Sequence, residues 1–160
     1  MPRLPSGPSA QRGFTLIEAI VALTILVVLA GMGASSFAWL NQTTRIRAAA
    51  FDLVADLDFA RSEAIKRNAD IDVSPVGGSW SNGWTVASGG TTLRQHGALG
   101  GQVTFDSPEP GELRYDAAGR VTAVDPNPFR ICPPTRGSLS GRIIRVDPSG
   151  LSRSTKTTCA

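Results

Sequence analysis

Among 160 residues the chain has one histidine, two cysteines, two methionines and one tyrosine. Cys132 and Cys159 both lie in the last third, well away from His96, so the ligands that a transition-metal site wants are too few. Neither a Gly-x-Ser-x-Gly elbow nor a phosphate-binding glycine loop with lysine occurs. His96 stands in a glycine-flanked hairpin region and reads as a loop residue, not a general base. A non-enzymatic protein without a cofactor is expected. For the two cysteines a disulfide is the better reading, and it places them in an oxidising compartment outside the cytoplasm.

Charge is also scarce where it matters. From Phe14 to Leu40 the one charged side chain is Glu18, and about 20 apolar residues suffice to span a bilayer. The formal net charge of +3 hides an uneven distribution: residues 1–13 carry +2, 14–67 are balanced, 68–129 carry −4 and 130–160 carry +5. The basic character sits at the two ends.

What is present begins with MPRLPSGPSAQR, three prolines and two arginines without an apolar run. Such a stretch forms no packed element and reads as a processed leader ending at Gly13. Three interpretations fit the residues that follow. An uncleaved signal anchor would be oriented by Arg3 and Arg12. A secretory signal would use Ala19 to Leu29 as its apolar core and be cut after Val28-Leu29-Ala30, against which stands Glu18, a costly carboxylate near the start of that core.

The third rests on Gly13-Phe14-Thr15-Leu16-Ile17-Glu18. This hexapeptide, followed by a long apolar run, resembles the class III leader of type IV pilins and pseudopilins. The resemblance implies cleavage between Gly13 and Phe14 by a prepilin peptidase and N-methylation of Phe14. It implies an inner-membrane anchor before assembly with other pilin subunits, and a role for Glu18 as docking charge for a neighbour's N-terminal amine.

Past Leu40, Ile46, Ala50, Leu53, Leu57, Ala60 and Ala64 recur at three- and four-residue steps, the pattern of an amphipathic helix. Arg47, Asp52, Asp56, Asp58, Arg61, Glu63 and Lys66 fall between them. Lys66 and Arg67 suit the negative end of a helix dipole, and Asn68 suits its cap. From residue 70 the period becomes two. Strands are predicted at Ile71–Ser74, Gly83–Ala87, Thr91–Gln95, Gln102–Phe105, Glu112–Tyr115, Arg120–Val124, Phe129–Cys132, Arg142–Val146 and Leu151–Ser154. The fold class is therefore α+β and pilin-like: leader 1–13, membrane-spanning helix 14–40, amphipathic continuation 41–68, and an antiparallel β-rich periplasmic domain 69–160. Two segments echo each other, Asp116-Ala117-Ala118-Gly119 and Asp147-Pro148-Ser149-Gly150. Both are read as hairpin turns.

Leu57 to Asn68 (LDFARSEAIKRN), with Trp80-Ser81-Asn82-Gly83-Trp84, resembles the FimT and GspH group. Trp80 and Trp84 are read as core. The group holds minor pilins of type IV pili and the H pseudopilin of type II secretion systems. FimT-like proteins are associated with DNA uptake through a C-terminal Gly-Arg-x-Arg motif. Here the matching stretch is Gly150-Leu151-Ser152-Arg153, without the first arginine, and only Gly150 and Arg153 carry over. Arg130, Arg136, Arg142, Arg145, Arg153 and Lys156 crowd the last third against Asp147 alone. Such a cluster supplies phosphate neutralisation for duplex DNA, with Arg142, Arg145, Arg153 and Lys156 as candidate contacts. A solvated basic face, or one that matches an acidic subunit, accounts for it equally.

Overall fold

The computed structural model describes residues 14–101, 103–106, 108–122, 128–134 and 140–159, with the side chains of 32–40 outside the description. Gly13 and Arg136 lie outside it. The chain divides into two compact units, Met1–Ala38 and Trp39–Ala160.

The first unit is helical from the start of α1 (Leu16–Arg67). The Thr15 hydroxyl accepts from the Glu18 N–H at 3.3 Å, and the Thr15 carbonyl accepts from the Ala19 N–H at 3.2 Å. Thr15 is thus the N-cap and Glu18 stands three residues on, the two end positions of a capping box. Leu16, Ile17, Ile20, Val21, Leu23 and Ile25 to Leu29 are all exposed. Among the described residues no helix is long and apolar enough to cross a membrane. The apolar run is described in full only to Gly31, and sixteen helical residues rise about 24 Å, short of the roughly 30 Å hydrocarbon core.

In the second unit α1 buries Ile46, Ala49, Ala50, Leu53, Leu57, Ala60 and Ala64, the predicted stripe with Ala49 added. The helix ends as its sequence requires. Asn68 takes φ 51°, its N–H donates to Ile65 O, and the Ala69 N–H reaches back to Ala64 O. These are the two bonds of a Schellman closure with asparagine in the left-handed position.

Two four-stranded antiparallel sheets complete the unit. The first has the order β3-β2-β1-β5, from β1 (Ile71–Pro75), β2 (Trp84–Ser88), β3 (Thr91–His96) and β5 (Leu113–Tyr115). The second has the order β4-β6-β7-β8, from β4 (Thr104–Phe105), β6 (Phe129–Cys132), β7 (Ser140–Val146) and β8 (Ser152–Thr158). Both put apolar side chains into one core with the helix stripe: Ile71, Val73, Trp84 and Val86 from the first, Phe105, Phe129, Ile131 and Ile144 from the second. Trp80 joins them, edge-on to Phe129 at 4.6 Å, with its indole N–H donating to Pro110 O at 2.8 Å. Both tryptophans are core residues, as expected.

Two predicted strands need correction. Arg120–Val124 is reduced to one bridge, Tyr115 with Val121, and residues 123–127 lie outside the description. The last strand begins at Ser152 and runs to Thr158, four residues beyond the predicted end. Its sequence, SRSTKTT, is polar throughout, because an edge strand with exposed side chains has no apolar alternation to show. Its threonines are nonetheless good strand formers.

Candidate functional site

His96 is no loop residue. It ends β3, its ring stacks on Trp84 at 4.1 Å and 3°, and its Nδ1 lies 3.9 Å from Asp56 Oδ2. Asp56 is 5% exposed on the core face of α1 and accepts from Trp84 Nε1 at 2.9 Å and Arg94 Nη1 at 2.7 Å. Arg94 in turn covers the Phe59 ring at 4.0 Å. A buried carboxylate with two donors is satisfied structure. It ties the helix to β2 and β3.

Other charges in and around the first sheet, and at the end of α1, are also neutralised locally. Arg114 pairs with Asp72, Arg120 with Asp116, and Lys66 and Arg67 with Glu63. The Arg67 guanidinium beside Glu63 holds that carboxyl below the usual glutamate range.

The second sheet differs. Among the described residues Arg47, Arg130, Arg142, Arg145, Arg153 and Lys156 have no carboxylate partner. Register sorts the strand residues by face. Arg142 lies opposite Lys156 and Ile131, Ile144 opposite Ser154 and Phe129, and Arg145 opposite Arg153. Directly opposed residues share a face and neighbours alternate. Ile131, Ile144 and Phe129 are core, so Arg142 and Lys156 belong to the helix-facing side. There they line a recess with Thr43, Ile46 and Arg47 of α1. Arg145 and Arg153 take the outer face, with Arg130 opposite Ile143.

The four sequence-predicted basic residues therefore form two pairs on opposite faces. Arg47, which the sequence placed on a helix surface, joins the inner pair. Arg130 joins the outer one.

The cysteines are bonded, S–S 2.03 Å and Cα–Cα 5.8 Å. A Cβ on Gly141 would stand 2.4 Å from Cys159 Sγ and 3.0 Å from Cys132 Sγ. The disulfide thus lies over Gly141 on the outer face and fastens the end of β8 to β6. Gly150 serves packing: it is buried with φ 80°, tight against Gly119. The two echoing turns meet there, with the Val121 N–H donating to Pro148 O at 3.2 Å. In the first unit Phe14 is 78% exposed and Glu18 is exposed in the first turn.

The family model for the type II transport protein GspH matches residues 49–150, and that for the prokaryotic N-terminal methylation motif matches residues 8–34. The chain belongs to the GspH family. Its methylation motif covers the Gly13–Phe14 junction and Glu18, and the chain is type IV pilin-like. No curated protein matches it. Among solved structures, the type IV minor pilin FimU of Pseudomonas aeruginosa PAO1 has the same fold in two crystal forms. One gives TM-score 0.59 at 24% identity, over 69% of this chain and 87% of that one. The other gives 0.58 at 25%, over 68% and 91%. A helix on antiparallel sheets is thus the pilin fold in this GspH-family chain, and family and fold are those of structural subunits.

Proposed function

We propose that this protein is a minor pilin of a type IV pilus, cut after Gly13 by a prepilin peptidase and methylated on Phe14. It waits in the inner membrane as a single-pass protein with residues 69–160 in the periplasm, then assembles with other pilin subunits. The observation that carries the reading is the joining, in one chain, of a methylation motif over residues 8–34 to a GspH-type domain over residues 49–150. Glu18 supports it: no described side chain pairs with this exposed carboxylate at the head of an apolar helix, which suits a docking charge for a neighbour's new amine. Sequencing the mature N-terminus from membranes tests the reading. A start at Phe14 is expected, and a start at Gly31 overturns it.

Double-stranded DNA is the finer reading of the outer face. Arg130, Arg145 and Arg153 lie close in register with no acid between them, and phosphate neutralisation alone gives sequence-independent binding. Affinity of the full chain for a duplex should fall steeply with added salt and vanish in Arg145→Glu/Arg153→Glu. Binding that survives both overturns it. The second reading, a pseudopilin of type II secretion without DNA binding, draws on the likeness of residues 49–150 to the type II transport protein GspH. Loss of protein secretion, with pili intact, in a deletion strain would select it.

A further inference from the structure

Among the described residues the longest sheet edge of the second unit is left open beside an apolar cleft. β8 pairs with β7 along seven consecutive positions without a register shift, and it ends its sheet. The other sheet edges are blunted. β4 has two residues and β5 three, and β3 meets β2 through an irregularity at Val86/Ala87. Short or bulged edges resist addition of a further strand, whereas a long regular one invites it. Seven residues present about 23 Å of backbone.

Next to this edge α1 carries apolar surface that none of the described residues covers. A cleft of about 560 Å³ is lined by Ala48, Phe51 and Val54 of the helix, with the charged Arg47 and Asp52 among them, and by Arg142 and Ser154 of the sheet, so two cations there stand against one carboxylate. Phe51 at its rim is 73% exposed. At one end stand Arg47, Arg142 and Lys156, none with a carboxylate partner among the described residues. A strand added to β8 would direct alternate side chains under the helix, into this cleft. We propose that β8 and the cleft receive an extended segment of another protein chain, one that places an acidic side chain against Arg47, Arg142 and Lys156 and apolar ones against Phe51 and Val54. Lys156 and Arg153 on the edge oppose pairing with a second copy of β8, since like charges then approach, and select an acidic strand instead. The surface lies on the helix side, opposite the outer arginines to which duplex DNA is assigned, so each reading can fail alone.

The test uses the full chain in detergent micelles with isotope-labelled backbone amides and three probes. One is a seven-residue peptide that alternates threonine with one glutamate and two valines. The second has lysine for the glutamate, and the third is a short DNA duplex. The acidic peptide should slow amide exchange along Ser152–Thr158 and shift the signals of Phe51, Val54 and Arg142. The lysine peptide should bind roughly tenfold more weakly or worse, and Lys156→Glu, at an exposed unpaired side chain, should reverse the order of the two peptides. Unchanged β8 exchange, equal binding of both peptides, or cleft signals that answer to the duplex alone would overturn the proposal.

Discussion

Gly150 and Gly119 touch across two sheets: a Cβ on Gly150 would lie 2.0 Å from the Gly119 carbonyl oxygen. The same oxygen accepts from Arg61 Nε of α1 at 3.1 Å. Each glycine closes an identical turn, with its N–H donating to the aspartate carbonyl three residues earlier, Asp116 or Asp147, at 2.8 Å. The echo seen in the sequence is therefore a contact in space, where the two hairpins dock on each other and on the helix.

Gly150→Ala should accordingly cost about 3 kcal/mol, from a positive φ plus a clash with backbone that has nowhere to go. Gly89→Ala, also at positive φ but in open space, should cost only roughly 1 to 2 kcal/mol. Thermal melts of the two variants distinguish them. Equal losses would show that the turns separate readily, and Gly150 would then be free for a role in binding.

Removing the disulfide should lower the global stability and loosen the second sheet first. Cys132 and Cys159 are 27 residues apart, and closing a loop of that length restricts the unfolded chain by roughly 3.5 kcal/mol. Cys132→Ser/Cys159→Ser should lose about that much in urea unfolding, and exchange along β8 should rise before that of β1 and β2. A loss spread evenly over both sheets would contradict this picture of the bond as a clasp on one strand.

Much of this was legible because it is periodic. The stripe from Ile46 to Ala64 and the seven strands from Ile71 to Val146 that coincide with predicted ones follow from spacing, and Asn68 followed from what can end a helix. Three features escaped for physical reasons. Asp56 falls three residues after Leu53 and four before Ala60, squarely on the buried stripe, but hydropathy assigns a carboxylate to solvent and says nothing of the indole and guanidinium that satisfy it. The sequence predicts β8 only as far as Ser154, because its remaining residues have no apolar alternation to mark them. The division of the basic residues between two faces depends on register, which sequence separation alone does not reveal.

Asp56 is for the same reason the most sensitive polar position. Asp56→Ala would leave the Trp84 indole N–H buried without its acceptor and the Arg94 guanidinium without its charge, a loss of about 3 kcal/mol. Asp56→Asn retains an acceptor and should lose less. Arg94→Ala should cost only about 1 kcal/mol, because that side chain is half in solvent and screened. Denaturant titrations followed by tryptophan fluorescence rank the three. A ranking with Arg94→Ala at the top would put the strength of the cluster in the ion pair and not in the indole bond.

Acid should weaken the fold through two carboxylates. Backbone N–H groups of Arg120 and Ala118 hold Asp116 below its usual 3.8, and Arg67 with Lys66 holds Glu63 below its usual 4.5. In both, the folded value lies under the unfolded one, so the unfolded chain takes up protons first as pH falls. Their contribution is complete above the unfolded values and disappears as pH drops through the folded ones. Stability should thus be level from neutral pH to about 5 and decline below it. Asp116→Asn keeps an oxygen for the two N–H groups but cannot titrate, and Glu63→Gln removes the other titration. Urea unfolding at neutral and acid pH should show a smaller decline in the double variant than in the parent, and an identical decline would assign acid sensitivity to other groups.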